Sequence, residues 1–256
     1  MMQIDYSQLL EELREVARDA GREIMRIYES SIEVNFKVDG SPVTLADEAA
    51  ENVILGKLKE IIPDIPIISE ENSSSHQAEV TEQFFLIDPL DGTKEFLKKD
   101  GLGSFTVNIS LIENRIPTLG VVYAPALDRM FFASSATGAF EESKKGIQKI
   151  TIRPVPNSGP IAVASVSHRD ESTNNWLNSN HIKDTISIGS SLKFCLVACG
   201  EADVYPRFGP TMEWDTAAGD AVLRSAGGKV LLPSGELFSY GKSNYRNSAF
   251  VAYGSF

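Results

Sequence analysis

Residues 84–96 read Phe84-Phe85-Leu86-Ile87-Asp88-Pro89-Leu90-Asp91-Gly92-Thr93-Lys94-Glu95-Phe96, an apolar run that passes straight into two acids, a proline and a glycine. The pattern predicts a buried strand emptying into a loop that carries chemistry. Pro89 lacks a backbone donor and has a fixed φ, so Asp88, the Leu90 carbonyl and Asp91 can be held facing one point. Hard oxygens around one point suit Mg²⁺ or Mn²⁺. Gly92 permits a tight turn and Thr93 adds a hydroxyl beside the acids. Asp, Pro and Gly are equally the usual residues of a solvated turn, and the stretch alone leaves both readings open.

Other residues gain meaning only beside that stretch. Ile65-Pro66-Ile67-Ile68-Ser69-Glu70-Glu71 reads as a short strand ending in paired acids; a neighbouring strand at 84–87 would bring Glu70 near Asp88. Asp47 stands three residues after Thr44, a natural helix N-cap, so it reads as a capping acid or as the group that orients Thr93. Gly189-Ser190-Ser191-Leu192-Lys193 offers free amides, hydroxyls and a cation at a helix start, which suits an anion and equally an ordinary Ser cap with an exposed lysine. Asp215 reads as the N-cap of a helix running to about Ala226, though the small residues after it would let a phosphate come close. His168 and Arg207, each at the end of an element, say little individually.

The elements that must position these residues follow from periodicity. Asp5 and Gln8 offer a capping box for a long amphipathic helix carrying Leu9, Leu13, Val16, Ala20, Ile24 and Ile27, and a loop at 37–44 leads into a second helix. Residues 72–81, polar and Ser-rich, read as a loop. Strand-like runs at 104–112, 118–123 and 129–133, joined by short polar turns, suggest an antiparallel sheet, with further turns at Gly138 and at Lys144, Lys145 and Gly146. Pro154, Pro156, Gly159 and Pro160 mark the best boundary, dividing the chain into 1–156 and 157–256. The second half alternates strands (161–167, 185–188, 203–205, 229–232, 249–253) with helices.

At 256 residues and 42% apolar content the chain can bury a good core as one large domain or two tightly packed ones. A net charge of −11 disfavours non-specific binding to nucleic acid polymers, so an anionic ligand needs local cations or metal. No basic, apolar leader follows Met1 and no apolar run reaches about 18 residues, which argues against secretion and a transmembrane segment and makes the cytoplasm the expected location. Cys195 and Cys199, four apart with no partner pair for zinc, read as buried thiols.

Taken together these blocks resemble the inositol monophosphatase superfamily. Its Asp-Pro-x-Asp-Gly-Thr signature stands here at 88–93; haloacid-dehalogenase-type phosphatases instead space the acids two apart, with a nucleophilic Asp where Pro89 stands. Residues 37–47, 69–71, 106–109, 120–123, 189–194, 205–211 and 214–219 extend the match, which is closest to the bacterial 3'(2'),5'-bisphosphate nucleotidases. The resemblance implies a mixed α+β fold, a layered αβαβα sandwich with the site between its halves. It implies that Glu70, Asp88, the Leu90 carbonyl, Asp91 and Asp215 hold two or more Mg²⁺, and that Asp47, Thr93 and Glu70 activate the attacking water. Asp91, Gly92, Thr93, His168, Ser190, Lys193, Arg207 and Asp215 would contact the substrate. The implied reaction is removal of the 3'-phosphate of 3'-phosphoadenosine 5'-phosphate, with inositol 1-phosphate hydrolysis and a regulatory binding protein as alternatives. A homodimer, lithium sensitivity and peripheral contact with the inner membrane surface are implied only by family. Charge supports the metal set independently, because four crowded carboxylates carry −4 and two Mg²⁺ supply +4. One departure is Gly101-Leu102-Gly103-Ser104-Phe105, where the nucleotidases carry Gly-Glu-Phe.

Overall fold

The computed structural model describes residues 4–30, 34–36, 42–99, 101–164 and 170–256; His168 and residues 37–41 lie outside them. Asp5 caps α1 (Tyr6–Tyr28), accepting the Ser7 and Gln8 amides at 3.0 and 3.2 Å. The capping box is not closed there, because the Gln8 side chain reaches forward to Glu12. β1 (Val34–Phe36) pairs antiparallel with β2 (Pro42–Thr44), so part of the expected loop is a ribbon. Thr44 and Asp47 then form a complete capping box at the start of α2 (Leu45–Ile61).

A seven-stranded sheet follows in sequence order: β3 (Ile67–Ser69), β4 (Gln83–Asp91), β5 (Thr106–Glu113), β6 (Ile116–Ala124), β7 (Arg129–Ser134), β8 (Gly138–Ser143) and β9 (Gly146–Ile150). β3 and β4 are parallel and the remaining pairs antiparallel. The connection from β3 to β4 holds a 3₁₀ turn at Ser73–Gln77, where the polar composition suggests only a loop. α3 (Thr93–Lys98) follows β4 directly. The hairpin of β8 and β9 is absent from the sequence reading because its residues are mostly half-exposed or exposed and lack an apolar alternation, although its turn glycines 138 and 146 are evident.

The second sheet combines β10 (Ile161–Ala164), β11 (Asp184–Ser187), β12 (Val204–Arg207), β13 (Lys229–Leu231) and β14 (Phe250–Tyr253) in the order β11-β10-β12-β14-β13. α4 (Glu171–Ser179), α5 (Leu192–Ala198) and α6 (Ala217–Ser225) connect these strands.

Three apolar clusters stack the elements into five layers. Leu13, Ala17, Ile24 and Ile54 of α1 and α2 pack on Phe85, Ile87, Ile109 and Val121, one face of the large sheet. The alternate residues Phe84, Leu86, Val122 and Phe131 face α5 and α6, which meet Val163, Val230 and Phe250 of the second sheet on their other side. Leu177 of α4 packs with Ala162, Val204 and Val251 on that sheet's outer face. The order is therefore αβαβα. Both faces of the large sheet are covered, which is why β4 reads as an unbroken apolar run.

Helix α6 of the middle layer closely approaches β6 at one glycine and α5 at another. A Cβ on Gly120 of β6 would lie 2.4 Å from the Ala218 carbonyl oxygen and 2.8 Å from the Ala221 Cβ, and one on Gly219 would lie 2.7 Å from the Phe194 Cβ. Gly120→Ala is thus expected to push α6 off the sheet and destabilise the protein by about 1–3 kcal/mol, the usual range for overpacking. Denaturant midpoints check this; an unchanged midpoint would mean that α6 shifts without penalty.

Candidate active site

The Asp-Pro-x-Asp spacing poses a geometric problem that a β-bulge resolves. Residues three apart on a regular strand face opposite sides. Along β4 and β5, Asp88 pairs with Asn108 and Asp91 with Thr106, so three steps on one strand match two on the other. The extra residue returns both acids to one side, and Pro89, having no amide to pair, is tolerated there. Gly92 then takes φ 90°, and a Cβ there would stand 3.1 Å from the Ser104 carbonyl. A Cβ on Gly189 would be 2.9 Å from the same oxygen. Ser104, within the departure at 101–105, thus packs beneath both glycine turns of the site.

Carboxylates converge from both halves. Parallel pairing of β3 with β4 sets Glu70 beside Asp88, and the loop before α6 brings Asp215; ligand oxygens of these three acids lie within 4.8 Å of one another. Asp91 borders the same cleft, and its charge acts on both Asp88 and Asp215. Asp88 is pushed well above the usual carboxylate range by burial first and then by Glu70, Asp91 and Asp215. Asp215 is raised likewise by burial, Asp91 and Glu70. Asp91 is raised by burial, against the pull of Lys193 and a hydrogen bond from Ser191.

In the three aspartates one oxygen is committed to a protein donor. Asp88 Oδ1 accepts from the Leu90 amide at 3.1 Å, Asp215 Oδ2 from the Met212 amide at 2.7 Å, and Asp91 Oδ2 from the Ser191 hydroxyl at 3.1 Å. The second oxygen of each remains to ligate. A group of acids, Asp88 buried and the others half-buried, with oxygens to spare and next to a carbonyl, is the donor set of a hard divalent cation. Asp215 is therefore no helix cap; Thr216 occupies that position and makes no side-chain cap bond.

Asp47 divides its two oxygens between both roles that the sequence suggests. Oδ2 accepts from the Thr44 amide and hydroxyl at 2.7 and 2.8 Å, while Oδ1 lies 3.3 Å from Thr93 Oγ1. Thr93 Oγ1 is also 3.2 Å from the Leu90 carbonyl.

Two buried cations line the same cleft. Lys193 is buried, its amine pushed down to about 8 chiefly by burial, and it donates to the Ser190 carbonyl. Arg207 is buried too, with Nε and Nη2 held by the Gly209 and Pro210 carbonyls at 3.2 and 2.8 Å. Both line the cleft with Ser190, Gly92, Thr93 and Glu70. Ser190 sits at φ 53°, an uncommon conformation for a residue with a side chain, at the turn into α5. About 190 Å³ of the cleft is open to water-sized molecules.

Several supporting residues carry no role in the sequence reading. Glu213, fully buried, accepts the Gly241 and Lys242 amides, and Asn247 Nδ2 binds the Met212 carbonyl at 2.7 Å and the Thr211 and Thr216 hydroxyls at 3.0 Å each, so the segment bearing Asp215 is pinned on both sides. His76 stacks on Trp214 at 4.8 Å and its Nε2 lies 2.8 Å from the Ser69 carbonyl. Nothing in the Ser-rich stretch around His76 signals this. Asn108 bonds Ser191 from within an apolar strand; a lone amide in such a run was the available signal.

Residues 5–253 match the inositol monophosphatase family. A 3'(2'),5'-bisphosphate nucleotidase CysQ of Salmonella typhimurium is 46% identical over 237 residues, covering 91% of this chain and 94% of the relative. The protein of the same name from Buchnera aphidicola is 44% identical over 253 residues, 96% of this chain and 94% of its own. The crystal structure of CysQ from Bacteroides thetaiotaomicron, a bacterial member of the inositol monophosphatase family, superposes with a TM-score of 0.85 at 35% identity over 99% of this chain and 100% of that one. With a family match over nearly its whole length, five αβαβα layers and an acid cluster at the bulged strand end, the chain belongs to the inositol monophosphatase family of metal-dependent phosphatases.

Proposed function

We propose that this protein is a 3'(2'),5'-bisphosphate nucleotidase that converts 3'-phosphoadenosine 5'-phosphate and water to AMP and phosphate. The observation that carries this is a cleft lined by both signs, Glu70, Asp91 and Asp215 together with buried Lys193 and Arg207. A bisphosphate has one anionic group for a cation held by the acids and another for Lys193 and Arg207, whereas inositol 1-phosphate has none for the second. The relatives named above as nucleotidases support the same reading.

Glu70, Asp88, the Leu90 carbonyl, Asp91 and Asp215 would hold Mg²⁺, two or more per site. When bound, Mg²⁺ neutralises the acids, acidifies water and offsets charge on the phosphoryl oxygens. Thr93 would accept a proton from the attacking water and pass its own toward Asp47, the 3.3 Å contact marking that route. Glu70 would orient the same water. Ser190, Lys193 and Arg207 would hold the 5'-phosphate, which fixes the 3'-phosphate over the acids. The turnover is direct, with no phosphorylated side chain.

Phosphate release from 3'-phosphoadenosine 5'-phosphate and from inositol 1-phosphate, compared with and without Mg²⁺, tests the reading. The nucleotide is expected to be strongly preferred, activity to vanish in chelator, and Asp91→Asn to lose at least about a hundredfold in kcat/KM. Preference for inositol 1-phosphate would overturn the specificity, and hydrolysis of neither would favour a binding protein. Lys193→Met should raise KM for the bisphosphate by roughly ten- to a hundredfold, the worth of a charge-assisted hydrogen bond, and change KM for 3'-AMP far less.

The raised aspartates also predict a pH dependence. Because Asp88, Asp91 and Asp215 hold their protons more tightly folded than unfolded, their contribution to stability is present below the ordinary carboxylate range near about 4 and is lost as pH rises through the folded values. In chelator the thermal midpoint should fall between about pH 5 and pH 8, and saturating Mg²⁺ should flatten that fall. A metal-free midpoint that climbs over this window would show that other groups govern stability.

A further inference from the structure

Ser191 heads α5 where a capping serine would stand, yet it makes no cap bond. Its hydroxyl, buried at 2% exposure, points instead into the seam between the two halves. Oγ lies 2.6 Å from the Asp215 carbonyl and 3.1 Å from Asp91 Oδ2, and it accepts from Asn108 Nδ2 at 2.9 Å. The same amide nitrogen is 3.4 Å from Asp91 Oδ2.

Counting protons defines what this triangle does. Asn108 has two amide protons, one directed to Ser191 and one toward Asp91, so one of the two Ser191 lone pairs is occupied and its single proton is shared between Asp91 and the Asp215 carbonyl. Asp91 belongs to the large sheet and Asp215 to the second half, and Ser191 touches both. Ionised acids in this site repel one another, and a link that fixes the Asp91 side chain against the Asp215 backbone opposes their separation. It also fixes which oxygen of Asp91 is left for the cleft.

We propose that Ser191, backed by Asn108, is a positioning residue that holds Asp91 and Asp215 in register across the seam and thereby sets the affinity of the site for divalent cations. This rests on the metal-site reading above and not on which phosphate ester is cleaved. Ser191 itself need not touch the substrate.

The test is a calorimetric titration of Mn²⁺ into the wild-type protein, Ser191→Ala, Asn108→Ala and the double variant, with kinetics on the bisphosphate and a thermal midpoint for each. Ser191→Ala is expected to bind Mn²⁺ about tenfold more weakly, as the loss of one hydrogen bond to a charged group implies. The Mg²⁺ concentration for half-maximal activity should rise in parallel, while KM for the bisphosphate at saturating Mg²⁺ stays within about twofold. Because Asn108 bonds Ser191 at 2.9 Å and reaches Asp91 itself only at 3.4 Å, the losses in the double variant should be less than additive. Should Ser191→Ala fail to fold, Asn108→Ala is read by the same titration, with weakened Mn²⁺ binding expected. Unchanged Mn²⁺ affinity in the folded variants, or fully additive losses, would overturn the proposal. A wild-type protein that binds no Mn²⁺ would remove its basis. Wild-type binding without hydrolysis of the bisphosphate would refute the nucleotidase reading and leave this one standing.

Discussion

Mutual repulsion among carboxylates crowded at the floor of one cleft is the constraint on which this molecule turns. Glu70, Asp88 and Asp215 place oxygens within 4.8 Å of one another with Asp91 alongside, and burial and each other's charge raise all three aspartates. Such a group is unfavourable as four anions and comfortable only when cations enter or protons remain. The surrounding structure is arranged to hold it regardless. A bulge turns Asp88 and Asp91 to the same side, parallel pairing of β3 with β4 supplies Glu70, and Asn247 and Glu213 pin the segment that carries Asp215.

The layering explains where that group can be assembled. β4 belongs to the large sheet, while Asp215 arrives from the loop before α6, which packs between the two sheets. The site is therefore a seam, and contacts that cross it, Ser191 to Asp91 and His76 to Trp214, connect segments with no sequence proximity. The close approaches at Gly120 and Gly219 serve the same end by seating α6 tightly against β6 and α5. In the same cleft, Lys193 and Arg207 are buried with their donors partly occupied by backbone carbonyls, so their positive charge is held in place.

Sequence patterns carry those parts of the fold that depend on local chemistry. α1 and α2 follow from apolar spacing and from the capping residues Asp5 and Thr44, and β4 to β7 follow from apolar runs between turn residues. β8 and β9 escape because their half-exposed residues lack an alternation, and the 3₁₀ turn at 73–77 escapes because its order comes partly from a distant tryptophan. Asp215 looks like a cap because acids before helices usually are; only the packed loop shows that the Met212 amide occupies one of its oxygens and that Thr216 stands at the cap.

The sequence by itself determined the family signature, the metal-compatible chemistry of Asp88-Pro89-Leu90-Asp91, and the sign and size of the net charge, since all of these reside in residue identity and short spacing. Only the tertiary structure decided that acids three apart share a face, that Asp47 serves the cap and Thr93 with separate oxygens, and that Ser191 faces a seam instead of its own helix. These outcomes depend on register, bulging and the packing of one sheet's helices on another. Such contacts join residues far apart along the chain, and no local pattern encodes them.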